Sequence, residues 1–153
     1  MIYFKEWLLV EEQQNYQSIK TIEQAKQLAT TAGGLDFDTQ GIERIKANLN
    51  AGGEVYFTDH FPIKDLGRNR QGWAKDKVLE MFGTFAKSIG QVPPKTIEDA
   101  QNMPIDYSTF NRMISPVIIS MMPDESYHIS DGNHRLGCAI VLKFPTIKAF
   151  VVK

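Results

Sequence analysis

The sequence predicts an α+β domain, and the last forty residues supply most of that prediction. Two apolar runs at 117–121 and 127–130 flank a turn that contains Pro123, which is typical of a β-hairpin. The following segment, 133–143, is apolar nearly all round, which is typical of a buried helix. A β-branched run at 146–152 completes an order of strand, strand, helix and strand that indicates an α+β arrangement.

Length and composition fit one globular domain. The chain has 153 residues, of which 42% are hydrophobic and 23% are charged. A net charge of −1 excludes a strongly basic nucleic-acid coat but not a local basic patch. The longest uncharged apolar run is far below the ~20 residues that a membrane span needs, and the first residues are too charged for a signal peptide. We therefore expect a soluble, cytoplasmic protein.

The upstream elements are predicted from periodicity and from helix-ending glycines. A helix is predicted over 21–31, and a second begins at Asp38 or Thr39, either of which can cap it. A third helix is predicted over 75–89. The remaining segments are predicted as a strand or short helix at 2–10, a short strand at 54–57, an ordered loop at 59–73 and short helical turns at 97–113.

The most informative stretch is Ser-Asp-Gly-Asn-His-Arg, which joins a predicted strand to the buried helix. Gly132 can take the positive φ of a tight turn, and Asn133 is a good helix cap. The first turn of the helix then presents backbone N–H groups and a partial positive charge. His134 and Arg135 add a titratable donor and a planar cation, whose head group we expect to project into solvent. Together these groups suit a phosphate.

Asp131 does not suit an anion on its own. Beside a phosphate it could hold Mg²⁺, orient His134 or Arg135, or accept a proton from a hydroxyl. The competing interpretation is an ordinary strand-to-helix turn in which Arg135 makes a surface ion pair. Cys138 lies about one helical turn further on, in an apolar run, and is predicted to be a buried, unreactive small hydrophobe.

Residues 127–139, YHISDGNHRLGCA, resemble the signature of the ParB/sulfiredoxin-like superfamily. Members show a strand, a D-G-x-H-R-type turn, a helix rich in Ala and Leu, and a further strand. The good match covers 114–153, and a weaker one reaches back to about residue 53. The resemblance implies a small mixed sheet with packed helices over 53–153, preceded by a helical N-terminal extension over 1–52.

The resemblance also implies a function. It indicates a nucleoside-phosphate-binding domain for ATP or another nucleoside triphosphate with Mg²⁺, open to phosphoryl transfer or phosphodiester cleavage. The phosphate contacts would be Gly132, Asn133, His134 and Arg135. Asp131 and His134 would be catalytic, and Asp131 would also hold the metal.

Two comparisons within the superfamily narrow the chemistry. Sulfiredoxins carry a catalytic Cys immediately before the motif's His, where this chain has Asn133, which argues against their reaction. Free-serine kinases of the superfamily carry a similar Asp-Gly-x-His-Arg motif and need a second carboxylate from an upstream element. The sequence leaves that group open among Glu54, Asp59, Asp65 and Glu98.

The alternative function is a non-catalytic DNA-associated or protein-interaction module of a plasmid, phage or mobile element. A second carboxylate within reach of Asp131 would favour the enzyme, because a binding module needs none. A basic segment around Trp73 could contact nucleic acid, supply cations to a nucleotide or form a solvated loop. Its basic residues are Lys64, Arg68, Arg70, Lys75 and Lys77.

Overall fold

The computed structural model describes residues 16–30 and 38–153, and it describes residues 68–71 by their backbone alone. The prediction for residues 2–10 lies outside the described residues. The strands are β1 (Gln17–Ile19), β2 (Val55–Pro62), β3 (Val117–Met121), β4 (Tyr127–Asp131) and β5 (Thr146–Val152). The α-helices are α1 (Ile22–Ala29), α2 (Thr39–Asn50), α3 (Lys75–Ser88), α4 (Ile97–Gln101), α5 (Tyr107–Met113) and α6 (Asn133–Val141).

The five strands form one mixed sheet in the order β1-β2-β5-β3-β4. The central strand, β5, runs antiparallel to β2 and parallel to β3. Strands β3 and β4 form the antiparallel hairpin that the sequence predicts. The α+β class is thus confirmed, whereas the ParB/sulfiredoxin-like fold stays a prediction.

Helices cover both faces of this sheet, because side chains along each strand alternate between two apolar cores. Val117 and Ile119 of β3 belong to the larger core, which lies under α3, α4, α5 and α6. Ile118 points into the smaller core with Phe150 of β5, under α1 and α2. The residues that fill the smaller core from the helices are Ala25, Ala29, Ile42 and Ile45.

The described part of the predicted extension, residues 16–30 and 38–52, packs directly on the sheet. It contains a strand as well as the two predicted helices, and Gln17 of β1 pairs with Phe57 of β2. The helices begin where capping side chains satisfy their first N–H groups. Thr21 forms a capping box with Gln24 at α1, and an Asp38 carboxylate oxygen accepts the N–H of Gly41 at 2.8 Å in α2. The division at residue 52 stays a prediction.

The predicted loop over 59–73 is wrong in its first part. Strand β2 continues to Pro62, beyond the predicted end at residue 57, because residues 61 and 62 still pair with β5. A 3₁₀ segment, Ile63–Gln71, follows, and Gly67 interrupts it at φ 57°. The helical turns predicted around Pro104 are confirmed as α4 and α5.

Cys138 is fully buried in the larger core, as predicted, and its low reactivity stays a prediction. Among the described residues, no helix has both the length and the apolar character to cross a membrane.

Candidate functional site

The turn between β4 and α6 is shaped by a bulge and by a glycine. Ile118 pairs with Asp131 while Ile119 pairs with Ile129, so Ser130 is an extra residue in β4. Bulges bend a strand and redirect the side chains that follow. Gly132 then adopts φ 103° and is the residue that precedes the first helical position of α6. The prediction that Asn133 caps the helix is wrong, because Asn133 is already inside its first turn.

The turn opens onto a cleft of about 290 Å³. The structure brings all the predicted site residues to its wall. The lining consists of Met81 of α3 together with Ser130, Asp131, Gly132, Asn133, His134 and Arg135. Because Gly132 has no side chain to cap α6, the first-turn N–H groups of the helix meet the cleft without a capping oxygen. A helix start of this kind favours an anionic ligand.

Arg135 lies differently from the sequence prediction. Its side chain is not projected into solvent, since the residue is only 6% exposed. One guanidinium nitrogen, Nη1, donates to the carbonyls of Ser115 and Pro116, both at 3.0 Å. The other, Nη2, donates to Oδ2 of Asp38 at 2.6 Å in a buried ion pair. Arg135 therefore holds the site together from inside, and only the edge of its head group reaches the cleft.

The carboxyl group beside Asp131 belongs to Asp38, which sequence analysis considered only as a helix cap. Two of the expected partners lie elsewhere: Glu54 accepts a hydrogen bond from Tyr56, and Asp59 lines a different cleft. Asp38 and Asp131 are within hydrogen-bonding reach of each other. Within the described part of the chain, Oδ2 of Asp131 is buried, no group donates a hydrogen bond to it, and Nη2 of Arg135 is 3.7 Å away.

The pKa values of the two carboxyl groups are shifted in opposite directions. Burial and the adjacent Asp38 carboxyl together raise the pKa of Asp131 to about 6, against the opposing charges of Arg135 and Arg44. Burial also acts to raise the pKa of Asp38, but the hydrogen bond with Asp131, the Arg135 charge and the Gly41 N–H together lower it. A proton on Asp131, donated to Asp38, satisfies both groups, as in other close carboxyl pairs.

Arg44 is a site residue that sequence reasoning missed. It is exposed on α2, one turn beyond Gly41, and its charge acts on Asp131. The backbone of Gly41 lies close to the Asp131 carboxyl, because a Cβ atom at Gly41 would be 3.3 Å from Oδ2 of Asp131. The carboxyl pair thus lies between the N-terminal ends of α2 and α6, with Arg44 as an exposed cation beside it.

Among the described residues, few groups beside Asp131 could help it to hold Mg²⁺. No group of three or more His, Cys, Asp or Glu side chains in residues 16–30 and 38–153 could hold a metal ion. Both Asp38 oxygens are already engaged, one by Gly41 and one by Arg135. A cation at Oδ2 of Asp131 would also lie beside the Arg135 guanidinium. We derive no step through a metal, and Mg²⁺ at Asp131 stays a prediction.

The basic segment is dispersed in the structure. Lys64 and Trp73 line a separate, largely apolar cleft with Lys143, whereas Lys77 pairs with Glu80 at 3.5 Å. The indole of Trp73 packs on α6, since a Cβ atom at Gly137 would lie 2.7 Å from its Cγ. Lys75 is exposed, and the side chains of Arg68 and Arg70 lie outside the described ones. A nucleic-acid contact through this segment stays a prediction.

Comparison of the chain with protein-family models, with curated proteins and with solved structures finds no match in any of the three. The geometry and charges of the site are therefore the basis on which its function is inferred.

We expect Gly132→Ala to destabilise the fold more than the same change at Gly90. A Cβ atom at Gly132 would lie 2.7 Å from Cγ1 of Val117 and 2.9 Å from Nη2 of Arg135, at a φ of 103°. Gly90 is a matched control, with φ 71° and nothing within 4 Å. The positive φ costs about 1 kcal/mol in each variant, and the contacts add about 1 kcal/mol or more at Gly132. Equal losses in urea unfolding would contradict this account.

We expect Arg135→Ala to lower the free energy of unfolding by about 3–5 kcal/mol, because it leaves the partly buried Asp38 carboxylate without its cation. Arg112→Ala is the control, since Arg112 is exposed and its loss should cost less than about 1 kcal/mol. The double variant Asp38→Asn/Arg135→Ala should lose less free energy of unfolding than the sum of the losses in the two single variants. If denaturant unfolding shows that Arg135→Ala is as stable as the wild type, the buried ion pair is contradicted and the solvent-exposed position that the sequence predicts is favoured.

We expect Asp131→Asn to stabilise the protein at neutral pH and not at pH 4. In the unfolded chain Asp131 titrates near its ordinary pKa of ~3.9, whereas its folded pKa is about 6. Between these values the folded state binds more protons, so stability falls as pH rises. Asparagine removes this penalty, on the order of 1 kcal/mol for a partly exposed group. The measurement is the melting temperature at both pH values, with the exposed Asp76→Asn as control. A difference in melting temperature between Asp131→Asn and the wild type that is the same at both pH values would contradict the raised pKa of Asp131.

Proposed function

We propose that the cleft at the start of α6 binds the phosphate of a nucleoside phosphate and that Asp131 takes a proton from an attacking hydroxyl or water. The observation that carries this proposal is the Asp131 carboxyl, paired with Asp38 behind it, in the wall of a cleft that the first turn of α6 also lines. Phosphoryl transfer and phosphodiester cleavage both need such a positioned base.

Phosphate binding is supported by the groups that surround the cleft. The N–H groups of the first turn of α6 have no side-chain cap, so a phosphate oxygen can accept hydrogen bonds from them. His134 and Asn133 are half-buried in the same wall and offer side-chain donors. Arg44 is exposed on α2, its charge acts on Asp131, and we expect it to supply the charge-assisted contact that the sequence assigns to Arg135.

Arg135 acts as a positioning residue in this proposal. Its ion pair with Asp38 keeps that carboxyl ionised and fixed, so that the proton of the pair belongs to Asp131. A base with a pKa of about 6 is mostly unprotonated at pH 7 and still basic enough to accept a proton. The role of His134 as a second catalytic group is carried over from the resemblance, and its place in the cleft is compatible with it.

The non-catalytic DNA-associated or protein-interaction module remains the alternative. A module of that kind needs the helix start and the cations, but it gains nothing from two adjacent carboxyl groups. Such a pair lowers affinity for an anion and costs stability, so its presence favours the enzyme.

Binding is tested by thermal shift with ATP, CTP, GTP and ADP, each with and without Mg²⁺. A nucleotide that binds only the folded state raises the melting temperature by mass action, and the rise continues with the logarithm of its concentration above the dissociation constant. Arg44→Gln should weaken binding about tenfold, and Lys46→Gln, an exposed change two residues further along α2, should leave it unchanged. Equal shifts in both variants, or no shift with any nucleotide, would contradict phosphate binding at this cleft.

Turnover is tested by phosphate release from the nucleotide that binds. Asp131→Asn should reduce the rate by about a hundredfold or more while leaving binding within a few fold, because it removes only the base. The wild-type rate should fall as pH drops through about 6, where Asp131 becomes protonated. Wild-type protein that binds a nucleotide without turning it over with water or alcohol acceptors would leave the binding module as the function.

A further inference from the structure

The bulge in β4 changes the direction of the Asp131 side chain. Consecutive residues of a strand ordinarily point to opposite faces of the sheet. Ser130 is the extra residue of the bulge, and Asp131, which follows it, pairs with Ile118 of β3. Residues paired across two strands share a face, so the Asp131 carboxyl lies on the face of the smaller core, to which Ile118 belongs. The hydrogen-bonding reach between Asp131 and Asp38, at the start of α2, agrees with this placement.

The Ser130 hydroxyl lies on that same face. It is hydrogen-bonded to the hydroxyl of Ser120, which is two residues beyond Ile118 on β3 and therefore points to the Ile118 face. The bulge thus brings a hydroxyl and the carboxyl of the next residue to one side of the strand, which a regular strand does not do. Bulges recur beside active sites, where they redirect side chains in this way.

Ser130 and Asp131 also share the cleft at the start of α6. Both residues line it, and Ser130 is half-buried there. A phosphate bound by the first-turn N–H groups of α6 would meet a hydroxyl of the chain itself in this cleft. Among the described residues, Ser130 is the one hydroxyl-bearing side chain of the lining.

The hydrogen bond with Ser120 leaves the Ser130 proton available. Either hydroxyl of the pair can be the donor. When Ser120 donates, Ser130 keeps its own hydrogen for a second acceptor. A serine hydroxyl becomes a nucleophile when a base is placed to take that hydrogen. The Asp131 carboxyl, with its pKa of about 6, is mostly ionised at pH 7 and can accept it.

We propose that Ser130 is the nucleophile of this site and carries the transferred phosphoryl group as a phosphoserine. The proposal rests on the proposed function, because it identifies the attacking hydroxyl as one of the chain's own.

The reaction then has two steps. Oγ of Ser130 forms a bond to the γ-phosphorus of a nucleoside triphosphate, the bond from that phosphorus to the bridging oxygen breaks, and the nucleoside diphosphate leaves with the electron pair. The Ser130 proton passes to the Asp131 carboxylate. Water then attacks the phosphoserine, and Oγ of Ser130 leaves with the electron pair and recovers the proton from Asp131. The phosphoryl group departs with the oxygen and both protons of the water, as dihydrogen phosphate.

The competing explanation is a structural hydrogen bond between two strands. Cross-strand hydroxyl pairs stabilise antiparallel sheets without any chemistry. Ser126 provides an internal control, because its Oγ also lies beside a carboxyl group, 2.6 Å from Oδ1 of Asp124, but outside the lining of this cleft. The hydrogen bonds from Ser126 lower the pKa of Asp124, which makes that carboxylate the weaker base.

The test is mass spectrometry of the full chain after incubation with two phosphorus probes. The first is each nucleoside triphosphate, with and without Mg²⁺. The second is diisopropyl fluorophosphate, from which Ser130 Oγ would displace fluoride without any nucleotide. We expect one phosphoryl group and one adduct, each on the peptide that contains Ser130. Asp131→Asn should slow both reactions about a hundredfold, because the hydroxyl loses its base.

Variants of the two serines separate chemistry from structure. Ser130→Ala should lose both labels and phosphate release while it keeps the rise in melting temperature with nucleotide. This readout also covers a phosphoserine that is hydrolysed too quickly to be captured. Ser126→Ala should leave labelling and phosphate release unchanged. Because the fluorophosphate adduct is mapped on the wild-type chain, that result does not depend on the folding of a variant.

Three results would overturn the proposal. Phosphate release by Ser130→Ala at the wild-type rate would make water or an external hydroxyl the acceptor and leave the proposed function intact. A fluorophosphate adduct on Ser126 in place of Ser130 would show that the bulge activates nothing. A wild-type chain that gains neither label at Ser130 and releases no phosphate has no nucleophile at this position. If no nucleotide binds, the proposed function fails, and an adduct at Ser130 would still identify it as the nucleophile.

Discussion

The buried guanidinium of Arg135 is the contact on which the site depends. It joins the first turn of α6 to the carbonyls of Ser115 and Pro116 before β3 and to the Asp38 carboxylate that begins α2. Ser115 extends the connection, since its hydroxyl accepts the N–H of Asp38 and donates to the carbonyl of Ala29. An enclosed charge must keep its partners, so these segments cannot separate without a large loss of free energy.

The same contact determines which carboxyl of the pair has the raised pKa. Because Asp38 is paired with Arg135, Asp131 is the carboxyl whose pKa is raised. The side chain of Asp131 is also the more exposed of the two. The two aspartates of the site therefore differ in role: Asp38 is a structural group held by Arg135, and Asp131 is the group that titrates near pH 6.

Local sequence was enough to predict the elements whose signals lie within a few residues. The β3–β4 hairpin, strand β5, the buried α6 and the Asp38 cap all follow from nearby apolar patterns and polar caps. The position of Arg135 did not follow, because a cation in a first helical turn is usually solvated and its partner lies 97 residues away. The role of Asp38 beside Asp131 depends equally on a contact between distant segments. No local pattern encodes them.

The position of β5 in the sheet has a consequence for biosynthesis. It is the central strand, yet the ribosome makes it after both strands with which it pairs, β2 and β3. Val55 of β2 can pair with Val152 only after about a hundred further residues have been made. Until then β2 and β3 present unpaired edges of apolar sequence, which is the state in which nascent chains associate wrongly. Long-range pairings of this kind also close slowly. The chain should thus depend on protection by chaperones during translation more than a protein of its size with a local topology does.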